Sequence, residues 1–385
     1  MTNGYRLAGH GVQTAFGRGL AAMIAGIERG ECPTSDHCVL GYPGTHPPRA
    51  SRFADVRAVP GEAPSRERLL ETTADAIAMS GIDPIAFTQE DCGLFVGTSG
   101  FLYASTAELY WRALEPNAAS GPFIVRDPGW GAALVTEQFN MQGPCLTLST
   151  GCAASANALL VAMEMLDRAA IDRAVVLGAE GLNAVSLAGF EALMLLDPAG
   201  CRPFDRDRSG LQLGEGVGAC VLERAGDHDR GVLLLGGATL CDTHHLTSAT
   251  PDGEIMAAVI TEALEQTGTR AQQINAIKAH GTGSVDSDRA EASAIVSVFG
   301  PLPPPVTALK RYLGHTLGAC GIVETLAMIG CLEAQFIAPA AGFDTLDPEL
   351  GLAPLGQRIG ARPGRYLLNF FGFGGSYTAL VVELR

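Results

Sequence analysis

Thr147-Leu-Ser-Thr-Gly-Cys-Ala-Ala-Ser-Ala-Asn-Ala-Leu-Leu-Val-Ala-Met163 is the stretch from which the fold can be read. An apolar run over residues 145–148 ends in Ser-Thr-Gly, a cysteine follows, and a row of small residues opens an Ala/Leu/Met-rich segment of good helix propensity. This predicts strand, tight turn and helix, with Cys152 at the corner. At a helix N-terminus the free N–H groups and the macrodipole favour thiolate over thiol. Gly151 lets the turn close without a Cβ, and Ala153, Ala154 and Ala156 leave room for another element to approach. The arrangement is that of a nucleophile elbow with sulfur in place of the hydroxyl. A buried structural cysteine fits the same local pattern.

Outward from this unit, residues 174–180 read as a buried strand, and 214–223 as a strand whose glycines permit close backbone approach. Residues 225–231 are charged and turn-like, which marks a seam between 1–228 and 229–385. The second part repeats the logic of the first: strand 231–240, helix 254–266, strand 274–279, helix 288–299, and strand 306–310 leading through Gly314-His315 into the small-residue helix from Gly318. Before the elbow, a short strand at 5–12, helices at 20–29 and 66–80, a loop at 30–50 and a strand at 92–97 are expected. Residues 101–143 mix helix and loop and carry Trp111 and Trp130. Two α/β units of similar order would bring corresponding corners to one site.

The formal charge of −15 disfavours nucleic acid and anionic membrane surfaces as partners. The ten cysteines show no C-x-x-C pair, and several lie in apolar runs, as reduced core cysteines do. No charged segment followed by an apolar one opens the chain and no run is long enough for a membrane span, so the expected location is cytoplasmic.

Two histidine motifs give the cysteine possible partners. In Lys278-Ala-His280-Gly-Thr-Gly-Ser-Val-Asp-Ser-Asp288-Arg-Ala-Glu291 a histidine ends a strand and enters a glycine loop, within reach of a ligand; a hydrogen-bonded structural histidine fits equally. In Lys310-Arg-Tyr-Leu-Gly-His315 a second histidine precedes a helix that carries Glu324. A metal site is a rival, but these separations match no compact zinc pattern and no fourth ligand is evident. The pair His244-His245 reads as loop. In Leu368-Asn-Phe-Phe-Gly-Phe-Gly-Gly-Ser376 a strand breaks into glycines, where bare N–H groups can face a site; a glycine-rich turn is the alternative.

Together these motifs resemble the β-ketoacyl synthases, the condensing enzymes of fatty acid and polyketide assembly. Ser149-Thr-Gly-Cys152-Ala, the block from Arg202-Pro-Phe-Asp205 to Gly214-Glu-Gly216, His280-Gly-Thr-Gly, the stretch Lys310 to His315-Thr-Leu-Gly-Ala, and Asn369-Phe-Phe-Gly-Phe-Gly-Gly375 occur in the family's order. The resemblance implies a thiolase-like fold, two similar α/β halves in a five-layered α-β-α-β-α arrangement. It implies that Cys152 accepts an acyl group from a carrier's phosphopantetheine thioester, with the N–H groups of Cys152 and Phe371 as oxyanion hole. His280 and His315, as hydrogen-bond donors, would stabilise the enolate left when a malonyl thioester loses carbon dioxide. By the same resemblance Lys310 and supporting Glu324 form a charged pair behind the site. Thr247, Thr282 and Ser284 bind the pantetheine arm, and Phe371 gates the acyl pocket.

The resemblance further implies no resident cofactor and no metal, an acyl carrier protein as partner, and a homodimer or a heterodimer with a second ketosynthase-like subunit. Thiolases carry a second cysteine where this chain reads Phe371-Gly-Phe-Gly-Gly, and acyl-CoA-using priming synthases have Asn at His315. Chain-length-factor subunits lose the nucleophile that this chain keeps, but a retained cysteine does not by itself establish turnover, and a weakly active partner subunit is the alternative; a Cys-His amidase or thioesterase is a third reading. Gly151 stands where the family more often has Ala, and the short chain implies trimmed insertions in its first half. Small residues Ala104, Ser105 and Thr106 suggest room for a long or rigid acyl chain. Arg66 and Arg68, or Arg202, Arg206 and Arg208, are candidates for a basic rim that receives an acidic carrier.

Overall fold

Strand β1 (Tyr5–Thr14) lies where two half-sheets meet: it runs antiparallel to β6 (Gly216–Arg224) along most of its length and pairs with β7 (Val232–Cys241) at Tyr5 and Arg6. The structure is a computed structural model and describes residues 4–35, 49–53, 62–100, 114 and 127–385. Trp111, Ala104, Ser105 and Thr106 lie outside the described residues.

The remaining strands are β2 (Gly17–Arg18), β3 (Cys92–Gly97), β4 (Cys145–Leu148), β5 (Arg173–Glu180), β8 (Ile274–Lys278), β9 (Val306–Thr307), a small pair β10 (Phe336–Ile337) and β11 (Ile359–Gly360), β12 (Gly364–Phe371) and β13 (Ser376–Leu384). The sheet order is β4-β3-β5-β6-β1-β7-β13-β12-β8-β9. Around the β1/β7 junction the halves match strand for strand. Leaving aside β2, β10 and β11, β4 pairs parallel with β3 as β9 does with β8, β3 parallel with β5 as β8 with β12, β5 antiparallel with β6 as β12 with β13, and β6 antiparallel with β1 as β13 with β7. The weak repeat in the sequence is thus a repeat of topology.

Helices α1 (Leu20–Glu28), α2 (Glu62–Ser80), α3 (Trp130–Phe139), α4 (Ala154–Asp167), α5 (Ala184–Ala192), α6 (Glu254–Gln266), α7 (Val285–Phe299), α8 (Lys310–Leu313) and α9 (Cys320–Glu333) complete the chain. Helices α4 and α9 lie between the half-sheets and touch both, while α2 and α3 cover the outside of the first and α6 and α7 that of the second. That is the five-layered arrangement. α9 is buried on every side from Cys320 to Leu332, as a sequence apolar all round except at Glu324 and Thr325 requires. Each of its large aliphatic side chains contributes about 1.5–3 kcal/mol by burial.

The two central helices approach closely because the contact is made of small residues: a Cβ on Gly321 would overlap the backbone N of Ala156 and the side chain of Ser155. The Ser155 hydroxyl accepts from the Ile322 N–H at 3.0 Å, so the crossing is also fixed in register. Helix α7 begins at Val285, one turn earlier than its apolar spacing predicts, with Asp286 and Asp288 in the first turn where the dipole favours acids. The strand expected over 306–310 ends at Thr307, and Lys310 instead opens α8. No helix among the described residues is long and apolar enough to cross a membrane.

Candidate active site

The elbow forms as the sequence predicts: β4 ends at Leu148, a 3-10 turn spans Gly151–Ala153, and α4 follows from Ala154. Gly151 has φ 59°, and a Cβ there would sit 2.7 Å from the Phe373 carbonyl oxygen. Conformation and space both demand glycine. The turn puts the Cys152 sulfur at the inner end of a cavity of about 300 Å3 lined also by His280, His315, Phe371, Thr247, Thr282 and Ser284.

His315 Nε2 is 3.1 Å from Cys152 Sγ, and the rings of His280 and His315 meet edge to face with centroids 5.3 Å apart. Both histidines are buried, and both Nδ1 atoms lack a hydrogen-bond partner among the described residues. Burial holds each imidazole's pKa well below its usual value, and the positive charge of Lys310 adds to the effect. They are therefore neutral at pH 7, able to accept a proton or to donate a hydrogen bond.

Each histidine is held through its backbone. The His280 and Gly281 N–H groups donate to the buried Glu291 carboxylate at 2.7 and 2.8 Å, and the Asn369 side chain donates to the same group at 3.1 Å. The His315 N–H donates to the Gln212 carbonyl at 2.6 Å, and Gly214 N–H to the His315 carbonyl at 3.0 Å. The Gly214-Glu-Gly216 motif is thus a backbone clamp on the second histidine. Asp288 accepts from the Phe204 and Gly283 N–H groups at 2.7 and 3.1 Å, which ties the Arg202-Pro-Phe-Asp205 block to the first.

Behind the histidines lies a charge cluster with no place on the cavity wall. Glu324 accepts from Lys310 Nζ at 2.5 Å and from Lys278 Nζ at 2.6 Å, all three side chains being buried. Lys278 also donates to the Asn369 carbonyl at 2.6 Å and lies over the Phe370 ring. Burial disfavours the Lys310 charge, but Glu324 outweighs it and raises the pKa; for Lys278 burial prevails and lowers it. For Glu324 the two ammonium groups overcome burial and hold the carboxyl below its usual range. Lys278 was not anticipated as a site residue, although a lysine ending an apolar strand two residues before a candidate histidine is itself a signal: buried, it must have an acidic partner.

Two expectations are corrected. The Cys152 thiol is not shifted toward thiolate: burial pushes its pKa up to about 11, and Lys310 and the Phe373 N–H only partly oppose this. Because the helix end sits inside the core, desolvation outweighs the dipole. The second correction concerns the glycine loop. The amide that reaches the Cys152 sulfur belongs to Phe373, two residues beyond Phe371. Phe371 is the last residue of β12, buried edge to face against Tyr377, whereas Phe373 is half-buried and stacks on Phe190 on the cavity wall at 5.7 Å. The periodicity of the motif cannot distinguish the two phenylalanines.

Thr282 and Ser284 hydroxyls are 3.0 Å apart on the wall, and the Thr247 N–H donates to His245 Nδ1 at 3.1 Å. The arginines considered for a basic rim are largely engaged. Arg208 is buried against Asp347 at 2.6 Å, Arg202 pairs with Asp197 and Arg206 with Asp207, and Arg68 is buried under Phe53. Arg66 is exposed on α2.

The chain belongs to the β-ketoacyl synthase family: residues 63–228 match the family's N-terminal domain and 232–344 its C-terminal domain. It is 34% identical over 307 residues to the 3-oxoacyl-[acyl-carrier-protein] synthase 2 of Mycobacterium tuberculosis, covering 75% of this chain and 72% of that one. It is 32% identical to the tetracenomycin polyketide synthase ketoacyl synthase alpha subunit of Streptomyces glaucescens, covering 80% and 78%. Among solved structures, the ishigamide ketosynthase/chain length factor superposes over both whole chains with a TM-score of 0.89 at 25% identity. A type II polyketide synthase acyl-carrier protein in complex with its ketosynthase bound to the hexaketide gives 0.88 at 24%, again over both whole chains.

Proposed function

We propose that the chain is a β-ketoacyl-[acyl carrier protein] synthase that condenses an acyl group held on Cys152 with a malonyl thioester. The observation that carries this reading is the meeting of Cys152, His280 and His315 at the inner end of one cavity, with His315 Nε2 3.1 Å from the sulfur. In the first step His315 Nε2 takes the thiol proton as Cys152 Sγ attacks the carbonyl of a carrier-borne thioester, and the proton leaves on the departing pantetheine sulfur. The high thiol pKa makes this acceptor necessary, since a free thiolate is scarce near neutral pH. The oxyanion of each tetrahedral intermediate falls to the Cys152 and Phe373 N–H groups.

In the second step a malonyl thioester loses carbon dioxide, and its enolate oxygen accepts hydrogen bonds from the neutral rings of His280 and His315. The buried cations Lys310 and Lys278 add a favourable potential for that charge without proton transfer. The enolate carbon attacks the acyl thioester, Cys152 thiolate leaves and regains a proton from solvent. Thr247, Thr282 and Ser284 hold the pantetheine arm, a group brought by the carrier and needing no resident cofactor. The division into 1–228 and 229–385 then separates the half supplying the nucleophile from the half supplying the histidines, in a cytoplasmic enzyme.

A second subunit is part of this proposal. β4 ends the sheet and pairs on one side only among the described residues, and it exposes Leu146 and Cys145. An apolar edge of this kind invites a strand from another chain, either a second copy or a ketosynthase-like partner. Mass spectrometry after incubation with acyl-carrier and malonyl-carrier protein tests the function. A carrier-bound β-ketoacyl product two carbons longer, absent with Cys152→Ala, is expected. Free acid without condensation would mean a thioesterase, and no labelling of Cys152 would mean a passive partner subunit.

A further inference from the structure

Four large apolar side chains stand around the outer end of the cavity that leads to Cys152: Leu193, Met194, Leu246 and Val285, exposed to 47, 86, 77 and 42%. They come from both halves of the chain. Leu193 and Met194 follow α5, Leu246 lies between β7 and α6, and Val285 opens α7. Their positions are set by backbone contacts. Met194 is a non-glycine residue in the left-handed region, at φ 55°, with its N–H donated to Glu191 O at 2.8 Å. The Leu246 carbonyl accepts from the Gly374 N–H at 2.7 Å, which fixes it to the loop beside Cys152.

Among the described residues, the arginines considered for a basic rim offer little free charge on this side. Arg202, Arg206 and Arg208 are engaged with Asp197, Asp207 and Asp347, and at the start of α7 Arg289 pairs with Asp286. The whole chain carries a formal charge of −15, so long-range steering opposes an acidic partner. Any carrier whose arm reaches the sulfur along this cavity has to lie over its mouth. On the reading of the site given above, we infer that the acyl carrier protein docks on this apolar collar, with binding driven by burial of Met194 and Leu246 against an apolar helix face rather than by a basic rim. Such a contact is weakened little by salt, unlike an electrostatic one.

The test compares one octanoyl group delivered by a bacterial acyl carrier protein and by free pantetheine, with acylation of Cys152 followed by intact-protein mass spectrometry. For Met194→Glu and Leu246→Glu the kcat/KM for the carrier-borne donor is expected to fall about ten-fold more than that for the free thioester. In Arg206→Glu the ratio is expected to stay within about two-fold of wild type, and wild-type carrier acylation to change less than about two-fold between about 50 and 500 mM salt. Equal losses with both donors, or a steep fall with salt, would overturn the apolar docking. A change in assembly mass for Met194→Glu by light scattering would assign the collar to a subunit contact and overturn it too. Failure of wild-type protein to be acylated by either donor would instead overturn the synthase reading itself.

Discussion

The side-chain amide of Asn157 on α4 lies 3.1 Å from the hydroxyl of Ser376, which begins β13 just after the glycine loop. The same amide donates to the Thr150 hydroxyl at 2.8 Å, and its oxygen accepts from the Thr378 hydroxyl at 2.6 Å. One buried side chain therefore joins the turn before Cys152 to the strand after Phe373, and sets the separation of the two amides assigned to the oxyanion. Replacement by Leu removes three hydrogen bonds at once and leaves Thr378 only its longer contact with the Thr239 hydroxyl at 3.3 Å. A stability loss of about 1–3 kcal/mol by urea denaturation is expected, together with an acylation kcat lowered about ten-fold at little changed KM. An unchanged kcat would remove Asn157 from any positioning role.

The raised thiol pKa of Cys152 fixes the pH dependence of its chemistry with small alkylating reagents, which cannot use the thioester machinery. Thiolate is the reactive form, so the rate of labelling should climb about ten-fold per pH unit through the neutral and mildly alkaline range and level off only near pH 11. Iodoacetamide labelling followed by mass spectrometry gives the profile. A plateau already reached at pH 7 would mean that a thiolate–imidazolium pair exists in the resting protein.

Glu324 neutralises one of two buried ammonium groups, so its removal costs more than a surface pair would. Glu324→Gln should lose about 3–5 kcal/mol at pH 7. The carboxyl pKa is lowered in the folded protein, so its stabilisation is present above the ordinary carboxylate range and is lost as pH falls through the folded value. The gap between variant and wild type should therefore narrow in acid, as thermal unfolding at a series of pH values would reveal. Lys278→Met leaves a single Lys310–Glu324 pair and should be tolerated better than Glu324→Gln.

Gly151→Ala places a Cβ at positive φ and 2.7 Å from the Phe373 carbonyl. The elbow and the glycine loop must then separate, so acylation should fall by about a hundred-fold while global stability drops by only about 1–3 kcal/mol. Gly321→Val has the opposite profile. It forces α9 away from Ala156 inside the core, and its chief expected effect is loss of folded protein in expression and melting assays.

Much of this was legible in the residues. The elbow is readable because an apolar run, a glycine and a small-residue helix each obey local rules, and the limits of α6 follow from its 3.6-residue periodicity. The duplication is legible as repeated order, but the merging of the halves through Tyr5 and Arg6 against Leu234 and Leu233 has no local signature. Cys152, His280 and His315 meet because equivalent strand ends of two similar units converge. What sequence reading missed depends on three-dimensional accounting: Lys278 matters through Glu324 and Asn369, Glu291 through two backbone amides, and Phe373 through one N–H. The favourable helix end at Cys152 was visible, whereas the desolvation that overrides it arises only once the surrounding layers close.

β4 has consequences beyond closing the sheet. Its exposed Leu146 stands three residues before Ser149 and six before Cys152, and no flexible linker intervenes between that edge and the 3-10 turn. Any chain that zips onto this margin would brace the nucleophile's own footing, so turnover per molecule should decline on dilution in step with dissociation. Catalytic competence would then report how much of the enzyme has found its companion chain.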